Sequence, residues 1–310
     1  MTEKIIEVTR LSKKYENLIA VNSISFDIKK GEMFGIVGPD GAGKSTIIKI
    51  LSCLLPFDEG KGSIFGLDIS SNQKKIKKRI GYLSQHFSLY GDLTVDENIE
   101  FFAEINNIKM FEERKNKLLD FTKLTEFRKR FAENLSGGMK QKLALICTLI
   151  HTPEVLLLDE PTTGVDPVSR RDFWKILQEL LKTGMTIVVT TPYLDEAERC
   201  NRIALLDNGR IMALDSLEKL KFLIESRIYE VICSEIRSAF NILKSKPFVT
   251  EIQAFGDRLN VAVSPDNENA SGKIRENLQE NKINIIEINE ISPSLENIFI
   301  HLLTTKNNEQ

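Results

Sequence analysis

Residues 38–46 of this 310-residue chain read GPDGAGKST, a segment that contains the pattern G-x-x-x-x-G-K-[ST]. The preceding residues, Met33–Val37, are mostly apolar, and residues 46–51 carry the pattern of a helix. A strand, a glycine-rich loop and a helix in this order bind polyphosphate through backbone N–H groups at the start of the helix. The segment therefore predicts a nucleotide-binding domain of the α/β class.

The residue types of this loop suit that task. Backbone N–H groups approach a polyphosphate closely only where no Cβ obstructs them, which explains the glycines at positions 38, 41 and 43. Lys44 supplies a mobile positive charge for the β- and γ-phosphates, and the Ser45 hydroxyl can bind Mg²⁺. We expect the nucleotide to contact the loop along its whole length, at Gly38, Pro39, Asp40, Gly41, Ala42, Gly43, Lys44, Ser45 and Thr46.

Around the loop, short strands alternate with helical stretches. Val155–Asp159 reads VLLLD, an apolar run typical of a strand that is covered on both faces. Residues 79–84 and 186–190 are further strand candidates, whereas residues 93–150 carry a helical pattern. Strands separated by helices predict a mostly parallel sheet with helices on both faces, together with a helical subdomain at about 93–150.

Composition excludes several classes of protein. Forty-two basic and 44 acidic side chains give a net charge of −2, so nucleic acid is not an expected partner. The longest apolar stretch, residues 143–150, is far shorter than the roughly 18 residues of a transmembrane helix, and the amino-terminal residues show no secretion signal. The four cysteines are dispersed, which argues against a zinc site or a disulfide framework and for a reducing cytosol: Cys53, Cys147, Cys200 and Cys233.

The pattern changes near residue 220. From there the sequence predicts the order β-α-β-β-α-β of a small ferredoxin-like α+β module, so that residues 1–220 and 221–310 form separate domains. Such a module can regulate the first domain, add contacts between subunits, or be a passive appendage. Its predicted strands are 227–233, 249–255, 258–263 and 283–288, and its predicted helices lie near 235–245 and 268–281.

A second motif, LSGGMKQKL at residues 135–143, precedes an amphipathic helix. Ser136 is a natural N-cap, and Gly137 and Gly138 leave the first N–H groups of the helix accessible to an anion. Taken alone, the motif fits an ordinary capped helix equally well. Because it lies between the phosphate-binding loop and VLLLDEP, it resembles the signature sequence of ATP-binding cassette (ABC) ATPases. The resemblance covers about the first 220 residues and implies the P-loop fold of that family.

The resemblance implies roles for five further side chains. Asp159 would hold Mg²⁺ through water, and Glu160 would polarise the water that attacks ATP. Gln85 would sense Mg²⁺ and contact the transporter subunit. Asp166 resembles the residue that crosses the dimer interface, and it also fits the N-cap of a following helix. Tyr15 resembles the aromatic residue that stacks on adenine, although a tyrosine of the core or the surface is a competing interpretation.

The family further implies a head-to-tail dimer. Each ATP, bound with Mg²⁺, would lie between residues 38–46 of one subunit and the signature residues of the other. ATP binding would close the dimer and hydrolysis would open it. The sequence leaves open whether the partner ATPase is an identical chain or a related one. The signature residues expected to act across the interface are Ser136, Gly137, Gly138 and Gln141.

One position departs from the family pattern. After the strand that follows Val155–Asp159, the family usually places a histidine that contacts the γ-phosphate, but this chain has Pro192. Proline has no hydrogen-bond donor. Since Glu160 is intact, we expect hydrolysis to survive at a lower rate. A nucleotide-binding subunit with weak or no hydrolysis is the alternative. The histidines of the chain lie elsewhere, at positions 86, 151 and 301.

Three segments resemble the ATPase subunit of ABC-2-type exporters of the multidrug and antibiotic-resistance group: residues 88–102, 191–200 and 291–299. That resemblance implies a separate membrane-spanning permease whose short helices insert near Gln85. The chain would then be cytoplasmic and peripheral on the inner face of the cell membrane. A soluble ABC ATPase acting on ribosomes or DNA and the ATPase subunit of an importer are the alternatives. The transported substrate is not encoded in this chain.

Overall fold

The computed structural model describes residues 3–85 and 89–308, so that His86 and Ser88, named above, lie outside it. The chain divides into two compact units, Met1–Asp215 and Ser216–Gln310. The strands of the first unit are β1 (Lys4–Tyr15), β2 (Leu18–Lys29), β3 (Met33–Val37), β4 (Glu59–Ile64), β5 (Leu67–Asp68), β6 (Ile80–Leu83), β7 (Val155–Asp159), β8 (Thr186–Thr191), β9 (Arg202–Asp207) and β10 (Arg210–Asp215). Its helices are α1 (Lys44–Leu51), α2 (Gln73–Lys77), α3 (Val95–Ile105), α4 (Glu112–Thr122), α5 (Gly137–Leu149), α6 (Pro167–Lys182) and α7 (Leu194–Ala197).

The main sheet of the first unit has six strands in the order β10-β9-β3-β8-β7-β6. All neighbouring pairs are parallel except β9 and β10. Every residue of β3, β7 and β8 is buried, because helices or other strands cover both faces of these strands. The predicted parallel sheet is therefore confirmed. A second sheet, antiparallel and in the order β2-β1-β4-β5, belongs to the same unit.

Strand register brings the functional segments to one edge of the main sheet. β3, β8 and β7 are adjacent and parallel, with Val37 paired to Thr191 and Thr190 paired to Asp159. Their carboxyl ends therefore point the same way, and each continues into a segment of the predicted site. Ligands of open α/β sheets bind in the crevice outside these strand ends.

A helical subdomain, α3 to α5 with two short 3-10 turns, is inserted between β6 and β7. Helix α3 begins with a reciprocal cap at Thr94 and Glu97. The Thr94 hydroxyl accepts a hydrogen bond from the Glu97 N–H (3.3 Å), and the Glu97 carboxylate accepts one from the Thr94 N–H (2.7 Å). Lys115 of α4, which is almost fully buried, is paired with Glu100 of α3 at 2.6 Å. This ion pair links α4 to α3, and both helices pack against α5.

The second unit contains a four-stranded antiparallel sheet in the order β12-β13-β11-β14. This order and the sequence β-α-β-β-α-β give the predicted ferredoxin-like topology. The fourth strand begins at Ile285, two residues later than expected. The elements are α8 (Leu217–Leu220), β11 (Arg227–Cys233), α9 (Ile236–Lys244), β12 (Val249–Phe255), β13 (Arg258–Val263), α10 (Ala270–Glu280), β14 (Ile285–Ile291) and α11 (Leu295–Asn308).

Helix α11 is part of this second unit. Leu295 and Ile298 are fully buried, and Asn297 donates a hydrogen bond to Gln253 of β12 at 2.8 Å. The apolar side of the helix is therefore buried within its own unit.

The cap of α3 generates a stability prediction. Thr94→Ala removes the hydroxyl that accepts the Glu97 N–H, which typically costs about 1 kcal/mol. We expect a lower free energy of unfolding of the first unit in urea. Thr94→Ser, which keeps the hydroxyl, is the matched control and should stay near the wild type. Equal stability of the alanine and serine variants would contradict a stabilising role of the Thr94 hydroxyl.

Candidate active site

A cleft of about 630 Å³ lies at the carboxyl edge of the main sheet. It contains most of the residues predicted to bind nucleotide and Glu160, and it extends from Tyr15 at the end of β1 to Pro192 after β8. Its lining residues are Tyr15, Leu18, Ala20, Asp40, Gly41, Gly43, Lys44, Ser45, Thr46, Gln85, Glu160, Thr163, Pro192 and Tyr193. The fold thus brings together segments that are far apart in the sequence.

The glycine-rich loop between β3 and α1 has no room for side chains at two positions. A Cβ at Gly38 would lie 2.1 Å from the carbonyl oxygen of Leu206. A Cβ at Gly43 would lie 2.3 Å from the carbonyl oxygen of Ala20, and the φ of Gly43 is +102°. Only glycine fits both the space and the backbone conformation there. The loop therefore packs closely against the backbone of β9 and β2, which accounts for the glycines at positions 38 and 43.

Lys44 lies at the floor of the cleft and is only 3% exposed. Its ammonium group donates hydrogen bonds to the carbonyl oxygens of Gly38 (2.9 Å) and Pro39 (3.0 Å). Its third close partner is the carboxylate of Glu160, at 3.1 Å. The cation and the predicted catalytic acid are thus in direct contact.

Asp159 and Glu160, at the end of β7, are held by a residue that the sequence analysis missed. The hydroxyl of Thr190 on β8 accepts a hydrogen bond from the Glu160 N–H and donates one to the Asp159 carboxylate, each at 2.9 Å. Ser45 donates a second hydrogen bond to the same Asp159 oxygen (2.9 Å). Burial raises the pKa of Asp159, and the hydrogen bonds from Thr190 and Ser45 partly offset that rise.

Glu160 has a φ of +47°, which is uncommon for a residue with a side chain. Strained backbone of this kind is concentrated at functional sites. Besides Lys44, its carboxylate accepts hydrogen bonds from the Gln85 amide (3.1 Å) and the Thr163 hydroxyl (3.3 Å). Three donors from three segments therefore fix the position of this carboxylate.

The hard oxygen donors suited to a magnesium ion are also present. Ser45 and Gln85 line the cleft, and the buried Asp159 carboxylate, which does not line it, accepts a hydrogen bond from the Ser45 hydroxyl at 2.9 Å. Magnesium usually keeps several waters and takes one or two protein ligands together with phosphate oxygens. Among the residues that the structure describes, no group of three or more His, Cys, Asp or Glu side chains forms a metal cage. The donor set fits an ion that arrives with the phosphates.

The predicted signature residues and Asp166 do not line this cleft. Ser136 caps α5 by accepting the Met139 N–H at 3.3 Å. Asp166 caps α6 by accepting the Ser169 N–H at 3.0 Å, and such hydrogen bonds hold the pKa of its carboxyl below the usual range. Gln141 instead lines a groove of about 330 Å³ beside α5. Within one chain, these predicted residues therefore lie outside the cleft.

Comparison with known proteins identifies the family. Residues 21–163 match the family described as ABC transporter, and residues 216–303 match that described as ATP-binding protein DrrA1-3-like, C-terminal domain. The linearmycin resistance ATP-binding protein LnrL of Bacillus subtilis is 33% identical over 304 residues, which cover 96% of this chain and 98% of that one. This chain belongs to the ATP-binding subunits of ABC transporters.

Other relatives agree with that assignment. The daunorubicin resistance ATP-binding protein DrrA3 of Streptomyces coeruleorubidus is 32% identical over 97% of this chain and 96% of its own. The probable multidrug ABC transporter ATP-binding protein YbhF of Escherichia coli is 39% identical over 71% of this chain, and the matched region spans 38% of YbhF. The predicted family, an ABC ATPase of the multidrug and antibiotic-resistance group, is confirmed.

Solved structures support the fold. The dimeric ATP-binding cassette MJ0796, in a post-hydrolysis state bound to ADP and Pi, has a TM-score of 0.63 and is 28% identical, covering 69% of this chain and 99% of its own. A second structure, an ATP-binding subunit of an ABC transporter, has a TM-score of 0.64 at 29% identity and covers 71% of this chain and 92% of its own. The chain is an ABC-type ATPase with the P-loop fold.

The two signature glycines give a paired prediction. A Cβ at Gly138 would lie 2.3 Å from the Ser169 hydroxyl of α6 and 2.4 Å from its Cβ, whereas a Cβ at Gly137 meets nothing within 4 Å. Gly138→Ala should therefore lower the free energy of unfolding by about 1–3 kcal/mol through overpacking. Gly137→Ala, the matched control, should not destabilise the fold. Urea unfolding checks both, and equal effects would show that α5 does not pack closely on α6.

Proposed function

We propose that this ATPase binds Mg-ATP in a head-to-tail dimer and drives export through a separate membrane-spanning permease of the ABC-2 type. The observation that carries the proposal is the position of Glu160. Its carboxylate is fixed in the cleft by Lys44, Gln85 and Thr163, while Ser136 and the other signature residues lie outside that cleft. Catalytic machinery that is split in this way needs a second subunit.

In this proposal the adenine lies at the Tyr15 end of the cleft and the phosphates lie in the glycine-rich loop. Tyr15 is 42% exposed, the Lys13 ammonium lies 5.7 Å from its ring centroid, and in this proposal the base stacks on the exposed part of the ring. The end of β1 that carries it is braced by Asp58, which accepts hydrogen bonds from the Lys13 ammonium (2.8 Å) and the Lys14 N–H (2.7 Å). These hydrogen bonds hold the pKa of Asp58 below its usual range. The stacking platform is thus fixed before the nucleotide arrives.

Lys44 and Glu160 then carry the chemistry. The ammonium of Lys44, already desolvated, exchanges its carbonyl and carboxylate partners for β- and γ-phosphate oxygens. That exchange frees the Glu160 carboxylate to orient a water for attack on the γ-phosphate. Ser45, Asp159 and Gln85 would hold Mg²⁺, which would supply positive charge to stabilise the phosphates. Thr190 keeps both acids aligned throughout.

The second subunit would complete the site. Ser136 and Gly138 begin helix α5, so the positive end of its dipole and its first N–H groups can contact a γ-phosphate bound to another chain. Asp166, at the start of α6, would meet the opposite subunit beside them. The solved MJ0796 cassette, similar in fold, is described as a dimer. The partner can be an identical chain or a related ATPase.

The permease would dock at the groove of about 330 Å³ beside α5, whose lining begins four residues after Gln85 in the sequence. Leu89 and Gly91, which follow the described Gln85 segment, form one wall, and Ala132 and Ala144 contribute to the rest. In the described residues no helix is long and apolar enough to cross a membrane. In this proposal the pathway lies in a separate subunit, and this chain lies on the inner face of the cell membrane. The names of the relatives, which include linearmycin resistance and Nod factor export, support export.

Pro192 favours one alternative, a subunit that binds ATP but hydrolyses it weakly. Proline lines the cleft at the place where the family usually has a histidine. Against this alternative stands the intact Glu160 with its full set of hydrogen-bond donors. Measurement of turnover separates the two.

The test of the trans arrangement is complementation between two inactive variants. Glu160→Gln and Ser136→Ala should each abolish most Mg-ATP turnover while ATP still binds. In a mixed dimer, one site combines the wild-type Glu160 of one chain with the wild-type Ser136 of the other. If the chain forms homodimers, an equal mixture should recover about a quarter of the wild-type turnover.

Two controls sharpen this experiment. Wild-type turnover per chain should rise with protein concentration, because only the dimer hydrolyses ATP. Each variant alone, at the concentration of the mixture, gives the baseline. Turnover that does not depend on concentration, together with no recovery in the mixture, would overturn the homodimer mechanism.

A further inference from the structure

The cleft lacks a hydrogen-bond donor at Pro192, on the side where β7 and β8 end. Its pyrrolidine ring cannot donate, and its backbone has no N–H group. Charge that develops on the γ-phosphate during hydrolysis is stabilised by donors aimed at it, and one such donor is typically worth a factor of about 10²–10³ in rate. An ATPase with intact Glu160 and Lys44 therefore gains from another donor on this side.

The next residue, Tyr193, is placed to supply one. It lines the same cleft as Lys44 and Glu160. Among the described residues its phenolic hydroxyl has no hydrogen-bond partner, which leaves the O–H group available to a ligand. We propose that the Tyr193 hydroxyl donates a hydrogen bond to the γ-phosphate of bound ATP and so replaces the contact that Pro192 cannot make. This inference rests on the proposed function.

The backbone and the ring of Tyr193 are both held in place. Its N–H donates to the hydroxyl of Thr191, the last residue of β8, at 3.1 Å. The guanidinium of Arg170 lies over its ring, 4.2 Å from the centroid. A cation at this distance from an aromatic face is attracted to it. These two contacts restrict the position of the Tyr193 ring and therefore of its hydroxyl.

The buried carboxylate of Glu196 connects the residues that hold Tyr193 to the segment that follows Glu160. Glu196 is 2% exposed, and its two oxygens accept hydrogen bonds from Thr191 (2.6 Å), Arg170 (3.0 Å) and Thr162 (2.7 Å). Thr162 follows Glu160 by two residues. The carboxylate therefore links the segment after β7, the end of β8 and the first turns of α6. This network fixes Tyr193 relative to Glu160.

The chemistry needs no transfer of the tyrosine proton. The γ-phosphate oxygens are strong acceptors, and a hydrogen bond from a neutral O–H to an anion is roughly twice as strong as one between neutral groups. The hydroxyl donates to the oxygens as their charge changes and remains protonated throughout. It acts only on nucleotides that carry a γ-phosphate, so ADP binding should not depend on it.

Tyr193→Phe tests the proposal because it keeps the ring and its contact with Arg170 and removes only the hydroxyl. We expect kcat to fall about a hundred- to a thousandfold. The affinity for ATP should fall relative to that for ADP in equilibrium titrations, while ADP affinity stays unchanged. Unchanged ADP affinity also shows that the variant is folded. Tyr229→Phe, in the second unit, is the matched control and should change none of these values.

A rescue distinguishes this role from a structural one. Pro192→His in the Tyr193→Phe background should restore turnover, because it returns a donor to the neighbouring position. Wild-type turnover and an unchanged ratio of ATP to ADP affinity in Tyr193→Phe would overturn the inference. That result leaves the proposed function standing, provided that Glu160→Gln is inactive in the same assay. An active Glu160→Gln would refute the proposed function instead.

Discussion

The chemistry of this ATPase depends on one side chain that bridges two strands, the Thr190 hydroxyl. It accepts the N–H of Glu160 and donates to the carboxylate of Asp159, so it fixes the acid that would orient water and the acid that would hold the metal. The bridge exists because β7 and β8 are adjacent, parallel and in a register that pairs Asp159 with Thr190. It also supports the unusual φ of Glu160, since a strained residue persists only where its surroundings hold it. Burial of the strands around it excludes water and strengthens each hydrogen bond.

Much of the architecture could be predicted from the sequence, because it depends on local signals. The glycines of residues 38–46 mark a loop that approaches neighbouring backbone, and contacts of 2.1–2.3 Å for added Cβ atoms show why. The run VLLLD predicts a strand covered on both faces, and β7 is one. In the second unit, three of the four predicted strands have the bounds that the structure shows: Arg227–Cys233, Val249–Phe255 and Arg258–Val263. Hydrophobic periodicity and turn residues are enough to predict a helix or strand whose bounds depend mainly on its own sequence.

What could not be predicted depends on register between distant segments. Thr190 follows Asp159 by 31 residues, and nothing in the sequence states that they pair. The same holds for Glu196, which sequence reasoning would assign to an exposed helical turn but which is buried among Thr162, Arg170 and Thr191. Two successive threonines, Thr190 and Thr191, at the end of a predicted strand are a signal that could have indicated this network. The contact of Lys44 with Glu160 likewise appears only once the strands are ordered.

The most direct test of this account is the turnover of Thr190→Val, which keeps the shape of the side chain and removes its hydroxyl. In this variant kcat should fall about a hundredfold, because misplacement of the two acids impairs attack, while ATP affinity should stay nearly unchanged. Thr186→Val is the control. It removes another buried threonine hydroxyl, at the opposite end of β8, which accepts a hydrogen bond from the Gly31 N–H. Folded Thr186→Val should keep the wild-type kcat. Wild-type kcat in Thr190→Val would contradict the central claim that this bridge aligns the catalytic acids.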